Sequence, residues 1–221
     1  ISVLTEALVA LPNTEVTVVA PATQQSGQGG NETGGTLTAE PTKTAAGYDA
    51  TAVTGFPADS VIYALDQGGI DFTPDLVVSG INEGQNIGAL IDISGTVGAA
   101  RAAARRGIPA LASSSGSSTF DFETAATFVT DWVEEHRAWL VDGTYAAETP
   151  ILLESINVPS CAPGTELRGL VEVPVAATGE NAYIEQDCAS TLTDPVDDIT
   201  AFNSGFVTLS VLPPEPAPKD Y

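Results

Sequence analysis

Three short runs constrain this chain most: VTVVAP (16–21), DLVVSG (75–80) and IPALAS (108–113). Each is continuously apolar where a half-exposed strand would alternate. A strand of that kind has no face to offer to water, so it belongs inside a sheet covered on both sides. Between the runs lie segments with helical spacing. FPADSVIYALDQGG starts near Pro57 and stops at Gly68 and Gly69, and GTVGAARAAARRG is closed by Gly107. DFETAATFVTDWVEEHRAWLV carries Phe128, Trp132 and Trp139 among its apolar positions. The rhythm strand, helix, strand, helix predicts an α/β fold with three layers and a largely parallel, Rossmann-like sheet.

From about residue 156 the pattern turns β-rich, in INVP, LRGLVEVPVA and GFVTLSVLPP. Residues 156–212 are therefore expected to extend the sheet and form an arm suited to oligomerisation. The whole of 1–212 reads as one domain, and 213–221, Pro-rich, as a loose tail. The chain opens directly on helical spacing (Ile1, Leu4, Leu8, Leu11) with no capping residue before it. The expectation is that the natural polypeptide extends upstream with a first strand.

The charge narrows the partners. Seven basic residues against 29 acidic ones give a net charge of −22. Such a surface repels polyanions, which excludes DNA and RNA polymers as partners. No apolar run is long enough to span a bilayer, so no membrane partner is expected. The two cysteines, Cys161 and Cys188, with no methionine and an acidic surface, predict one disulfide and a secreted or periplasmic location.

The small polar residues stand where the apolar runs stop. In an open α/β sheet, ligands bind beyond the carboxyl ends of the strands. Ser26 and Gly27 follow the first run, and Ser79, Gly80 and Asn82 follow the second. Ser94, Gly95 and Thr96 open the Ala-rich helix, where Ser94 or Thr96 supplies the cap and free N–H groups make an anion seat. Asn82 and Asn86 carry oxygens that suit a hard cation, and they equally suit turns. The one histidine, His136, sits among charged helical residues and reads as a packed or solvated helix position. That leaves a Ser-His-Asp hydrolase without support. No G-x-G-x-x-G follows the first strand, which leaves a nicotinamide enzyme without support too.

In order, VTVVAP…QSG (16–27), VTGFPADSVIYAL (53–65), PDLVVSGINEGQNIG (74–88), SGTVGAARAAARRGIPALA (94–112), INVP (156–159) and TDPVDDITAFNSGFVTLSVL (193–212) resemble the SurE family of metal-dependent nucleotidases and acid phosphatases. The resemblance covers nearly the whole chain. It implies a divalent metal, Mg²⁺ or Mn²⁺, with Ca²⁺ able to substitute. Ser26 and Asn82 would be ligands, and two adjacent aspartates of an NDDG loop would be expected upstream of Ile1. It implies that Asn86 lies near the substrate and that Ser94, Gly95 and Thr96 seat the phosphate of a nucleoside monophosphate. It also implies a homodimer or homotetramer. Gln25 stands where the family often carries a basic residue, and Ile93 where it often carries an aromatic one. The base preference is left open by those two positions. The rival readings are a catalytically inactive relative that binds phosphate or nucleotide without the aspartate pair, and a structural or interaction module. Arg101, Arg105 and Arg106 are expected on a solvated helix face.

Overall fold

The computed structural model describes residues 1–147 and 150–216. Its elements in chain order are α1 (Ser2–Val9), β1 (Val18–Pro21), β2 (Thr38–Lys43), β3 (Asp49–Thr54), α2 (Pro57–Asp66), β4 (Val77–Glu83), α3 (Gly95–Ala104), β5 (Ala110–Ser115), α4 (Phe122–Asp142), β6 (Leu153–Val158), β7 (Leu170–Glu172), α5 (Asp198–Asn203) and β8 (Val207–Val211). A 3₁₀ turn, Gly88–Asp92, leads into α3.

The central sheet has the order β4-β5-β6-β8-β7. Its β4, β5 and β6 run parallel, β8 is antiparallel to β6, and β7 is parallel to β8. Side chains alternate between its faces. Leu111 and Ile156 face a layer made by α1 and α4, with Leu4, Leu8, Val129, Trp132 and Val133. Ala110, Ala112 and Leu153 face α2 and α3, where Ala58, Val97, Ala100 and Ala103 pack. Alanines on α3 let that helix lie close to the sheet, and larger side chains fill the other side. This is the predicted three-layer α/β arrangement.

The structure departs from the expected single sheet. β1, β2 and β3 form a second sheet in the order β1-β3-β2, with β1 parallel and β2 antiparallel to β3. Between the outer edges of β1 and β4 lies an apolar cleft of about 460 Å³, lined among others by Leu8, Val19, Val61, Val77, Val78 and Leu140. Neither edge has a strand partner there among the described residues.

The last part of the chain is less β-rich than its sequence predicts. The INVP segment ends β6, a central strand, and residues 173–197 are irregular. The predicted disulfide joins Cys161 to Cys188 and ties that irregular stretch to the end of β6. A six-residue helix, α5, stands where only strand was expected; its cap, Asp197, accepts from the Thr200 N–H at 2.8 Å. Of the Pro-rich tail, 217–221 lie outside the described residues, but its start is held. Arg101 Nε donates to the Pro213 carbonyl at 3.2 Å, and Arg105 Nη1 to that of Pro214 at 3.3 Å.

Candidate active site

Every predicted site residue sits at the carboxyl ends of the parallel strands, because each polar cluster follows a strand that ends there. The site is assembled around the start of α3. Ser94 is 6% exposed and caps the helix: its Oγ accepts from the Val97 N–H at 3.2 Å. The N–H groups of Gly95 and Thr96 have no intrahelical partner, and they lie at the positive end of a ten-residue helix. Gly95 is buried and Thr96 half-buried.

The loop after β1 folds onto this helix start. Gly29 N–H donates to the Ile93 carbonyl at 2.9 Å. A Cβ on Gly98 would collide with the Gly29 carbonyl oxygen, and one on Gly95 would touch Pro57 and the Gln25 carbonyl oxygen. Gly98 therefore admits the loop that carries Ser26. Sequence reasoning missed it, although a glycine inside an Ala-rich helix is the signal, since it weakens the helix by about 1 kcal/mol without a packing reason. Ser26 itself is exposed on a turn, and no described residue hydrogen-bonds its hydroxyl. Asp59 was missed too. It is fully buried and accepts from the Thr33 N–H, the Thr33 hydroxyl and the Phe56 N–H at 2.7–2.8 Å. It fixes the far end of the same loop to the start of α2.

Asn82 and Asn86 approach from β4. Register pairs Asn82 with Ser114 of β5, and Ser114 with Asn157 of β6, so the three share a row on the α3 face. A bulge between Ser79 and Asn82 sets this register, and Gly80 at its centre (φ 145°) lies too close to the Ser113 carbonyl to admit a Cβ. Asn82 Nδ2 donates to the Gly84 carbonyl at 2.6 Å, which leaves Oδ1 as the free end of the side chain. Asn86 is 7% exposed: its N–H donates to Asn157 Oδ1 and its Nδ2 to Ser114 Oγ, both at 2.7 Å. Asn86 is thus anchored in the sheet.

The C-terminal segment buttresses the stretch between Asn86 and Ser94. The Gly88 N–H and the Ala176 N–H donate to the two carboxylate oxygens of Asp198, at 2.9 and 2.8 Å. Burial raises the Asp198 carboxyl above its ordinary value, against those hydrogen bonds. Gln85 Nε2 donates to the Ala182 carbonyl at 2.6 Å.

Arg101 of α3, and Arg105 and Arg106 just past its end, do not form a solvated face. Arg101 is 2% exposed and holds Asp92 at 2.8 Å, while Arg105 and Arg106 pair with Glu32 and Asp66. They hold surrounding segments to α3 and its end, Arg101 through the Ile91 carbonyl and Asp92. His136 lies on α4, stacked on Trp132, with Nδ1 2.8 Å from the Trp132 carbonyl.

No group of three or more His, Cys, Asp and Glu side chains among the described residues could hold a metal. The free Asn82 Oδ1 and the Ser26 hydroxyl are neutral oxygen donors that suit a hard divalent cation as part of a ligand set.

Residues 1–185 match the model of the family described as Survival protein SurE. The 5′-nucleotidase SurE of Methanopyrus kandleri is 50% identical over 102 residues, 44% of this chain and 37% of that protein. That of a Synechococcus strain is 34% identical over 179 residues, 74% of this chain and 66% of that protein. The chain thus spans less than two thirds of the length of either. Among solved structures, the SurE protein of Aquifex aeolicus superposes with a TM-score of 0.71 at 27% identity, covering 97% of this chain and 88% of that one.

Proposed function

The chain belongs to the SurE family, and from that premise we propose that it is a divalent-metal-dependent phosphomonoesterase acting on nucleoside monophosphates. The observation that carries the reading is the convergence of two chemistries at one sheet edge. The N–H groups of Gly95 and Thr96, without an intrahelical partner, suit phosphoryl oxygens, and the Asn82 Oδ1, which takes no hydrogen bond from a described residue, suits a cation. A bound Mg²⁺ or Mn²⁺ supplies polarisation of a phosphoryl oxygen and of a water. Asn82 and Ser26 hold it in this reading, and an aspartate pair expected ahead of Ile1 completes the ligands. We place that pair at the end of a further parallel strand in the cleft between β1 and β4, where neither edge has a strand partner among the described residues. The helix start then takes up the negative charge that grows on the phosphoryl group, and Asn86 orients the substrate. No step needs a histidine or cysteine.

A secreted or periplasmic location and a homo-oligomeric state belong to the same proposal. The disulfide supports the first. Exposed Tyr183, Ile184 and Val196 on the C-terminal segment support the second.

The test is phosphate release by the full-length gene product from a panel of nucleoside monophosphates, with Mn²⁺, with Mg²⁺ and with EDTA. Release with metal that stops in EDTA is expected. Release that persists in EDTA, or none from any member of the panel, refutes the reading.

A further inference from the structure

Asn157 is a carboxamide at the centre of a sheet, 1% exposed, where an apolar side chain of the same shape would pack as well. A buried amide is tolerated only when its hydrogen bonds are made. Asn157 makes them with the site. Its Oδ1 accepts from the backbone N–H of Asn86 at 2.7 Å, and its Nδ2 donates to Ser155 Oγ at 3.2 Å. A backbone N–H can only donate, so the orientation of the Asn157 amide is fixed by its partner. Ser114, between Asn157 and Asn82 in the row, accepts from Asn86 Nδ2 at 2.7 Å. Ser114 and Ser155 are as buried as Asn157. The loop that leaves the sheet after Glu83 is therefore pinned back to it at Asn86, by Ser114 one strand away and by Asn157 two strands away.

We infer that Asn157 is a positioning residue. It sets the height of Asn86 over the sheet, and with it the spacing between Asn86 and Asn82. The inference rests on the reading that these two asparagines serve substrate and metal. Asn157→Leu keeps the shape and removes the acceptor. Asn157→Asp keeps the acceptor, and the Ser155 hydroxyl can turn to donate to it.

The experiment combines amide hydrogen exchange with steady-state kinetics on the full-length protein. In the wild type the Asn86 amide should exchange as slowly as the amides of β5; fast exchange overturns the inference without any variant. In Asn157→Leu the Asn86 amide should exchange at least about tenfold faster while Leu111 stays protected. kcat for phosphate release should fall about tenfold or more. Asn157→Asp should recover most of both. An Asn157→Leu protein with Asn86 still protected and both kcat and KM unchanged overturns the inference, as does an Asn157→Asp protein no better than Asn157→Leu. A wild type that releases no phosphate refutes the proposed activity separately, since the exchange readings judge the Asn157 anchor on their own.

Discussion

The two halves of β5 are equally buried and chemically opposite. Ala110, Leu111 and Ala112 are at most 1% exposed, and so are Ser113, Ser114 and Ser115. The first half packs between helices and does nothing else. In the second half, Ser114 accepts from Asn86, and Ser115 accepts from the Asp121 N–H, which stands just before α4. Burial alone does not mark the site. Buried polarity at the carboxyl end does: Ser114 and Ser115 meet partners from the loops there, while the Ser113 hydroxyl has none among the described residues.

That contrast can be broken from either half. The largest expected effect lies in the apolar half. Leu111→Ala should lower unfolding free energy by about 2–5 kcal/mol in a denaturant titration, with activity per folded molecule unchanged. A loss of activity at full folding would erase the distinction between the halves. Next comes the helix above them. In an ordinary helix interior, Gly→Ala stabilises by roughly 0.5–1 kcal/mol. Gly98→Ala should instead destabilise by about 1–3 kcal/mol, since the new methyl meets the Gly29 carbonyl, and it should weaken metal-dependent turnover by displacing the Ser26 loop. Thermal unfolding decides the sign, and a stabilised variant would show that the loop does not rest on the helix.

The smallest effect belongs to Glu154, in the first half of β6. Burial raises its carboxyl above the ordinary value, although the Trp132 Nε1–H donates to it at 2.7 Å and lowers it. A carboxyl raised in the folded state contributes stability that is fully present below its unfolded value and lost as pH rises through the folded one. Glu154→Gln keeps an acceptor for Trp132 and should flatten that stretch of the stability–pH curve, with no change in activity. An unaltered slope above pH 4 would remove Glu154 from the account.

Much of the frame was legible in the sequence. Unalternating runs announced β4 and β5, and Gly68 and Gly107 announced the ends of α2 and α3. Ser94 was visible as one of two cap candidates, with Thr96, because a cap is a local device, written within four residues. What escaped was written across the chain. Asp198 holds Gly88 from 110 residues away, and no local pattern links them. Asp59 stands in the first turn of α2, and its hold on Thr33, 26 residues away, needed the fold to appear. The arginines of α3 read as a solvated stripe because helical spacing does not tell which neighbour covers a face. Nor does the apolarity of β1 say that it pairs with β3 and leaves a cleft beside β4. Of the site, the residue types and their sheet edge were readable, and the anchoring of Asn86 by Asn157 was not.

The central proposal is that the polar end of the sheet, and half-buried Asn82 in particular, carries the chemistry. Its most direct test is metal-dependent phosphate release by Asn82→Ala full-length protein, measured beside its melting temperature. The account predicts a loss of about 100-fold or more at an unchanged melting temperature. Activity within about threefold of wild type in a folded variant would contradict it.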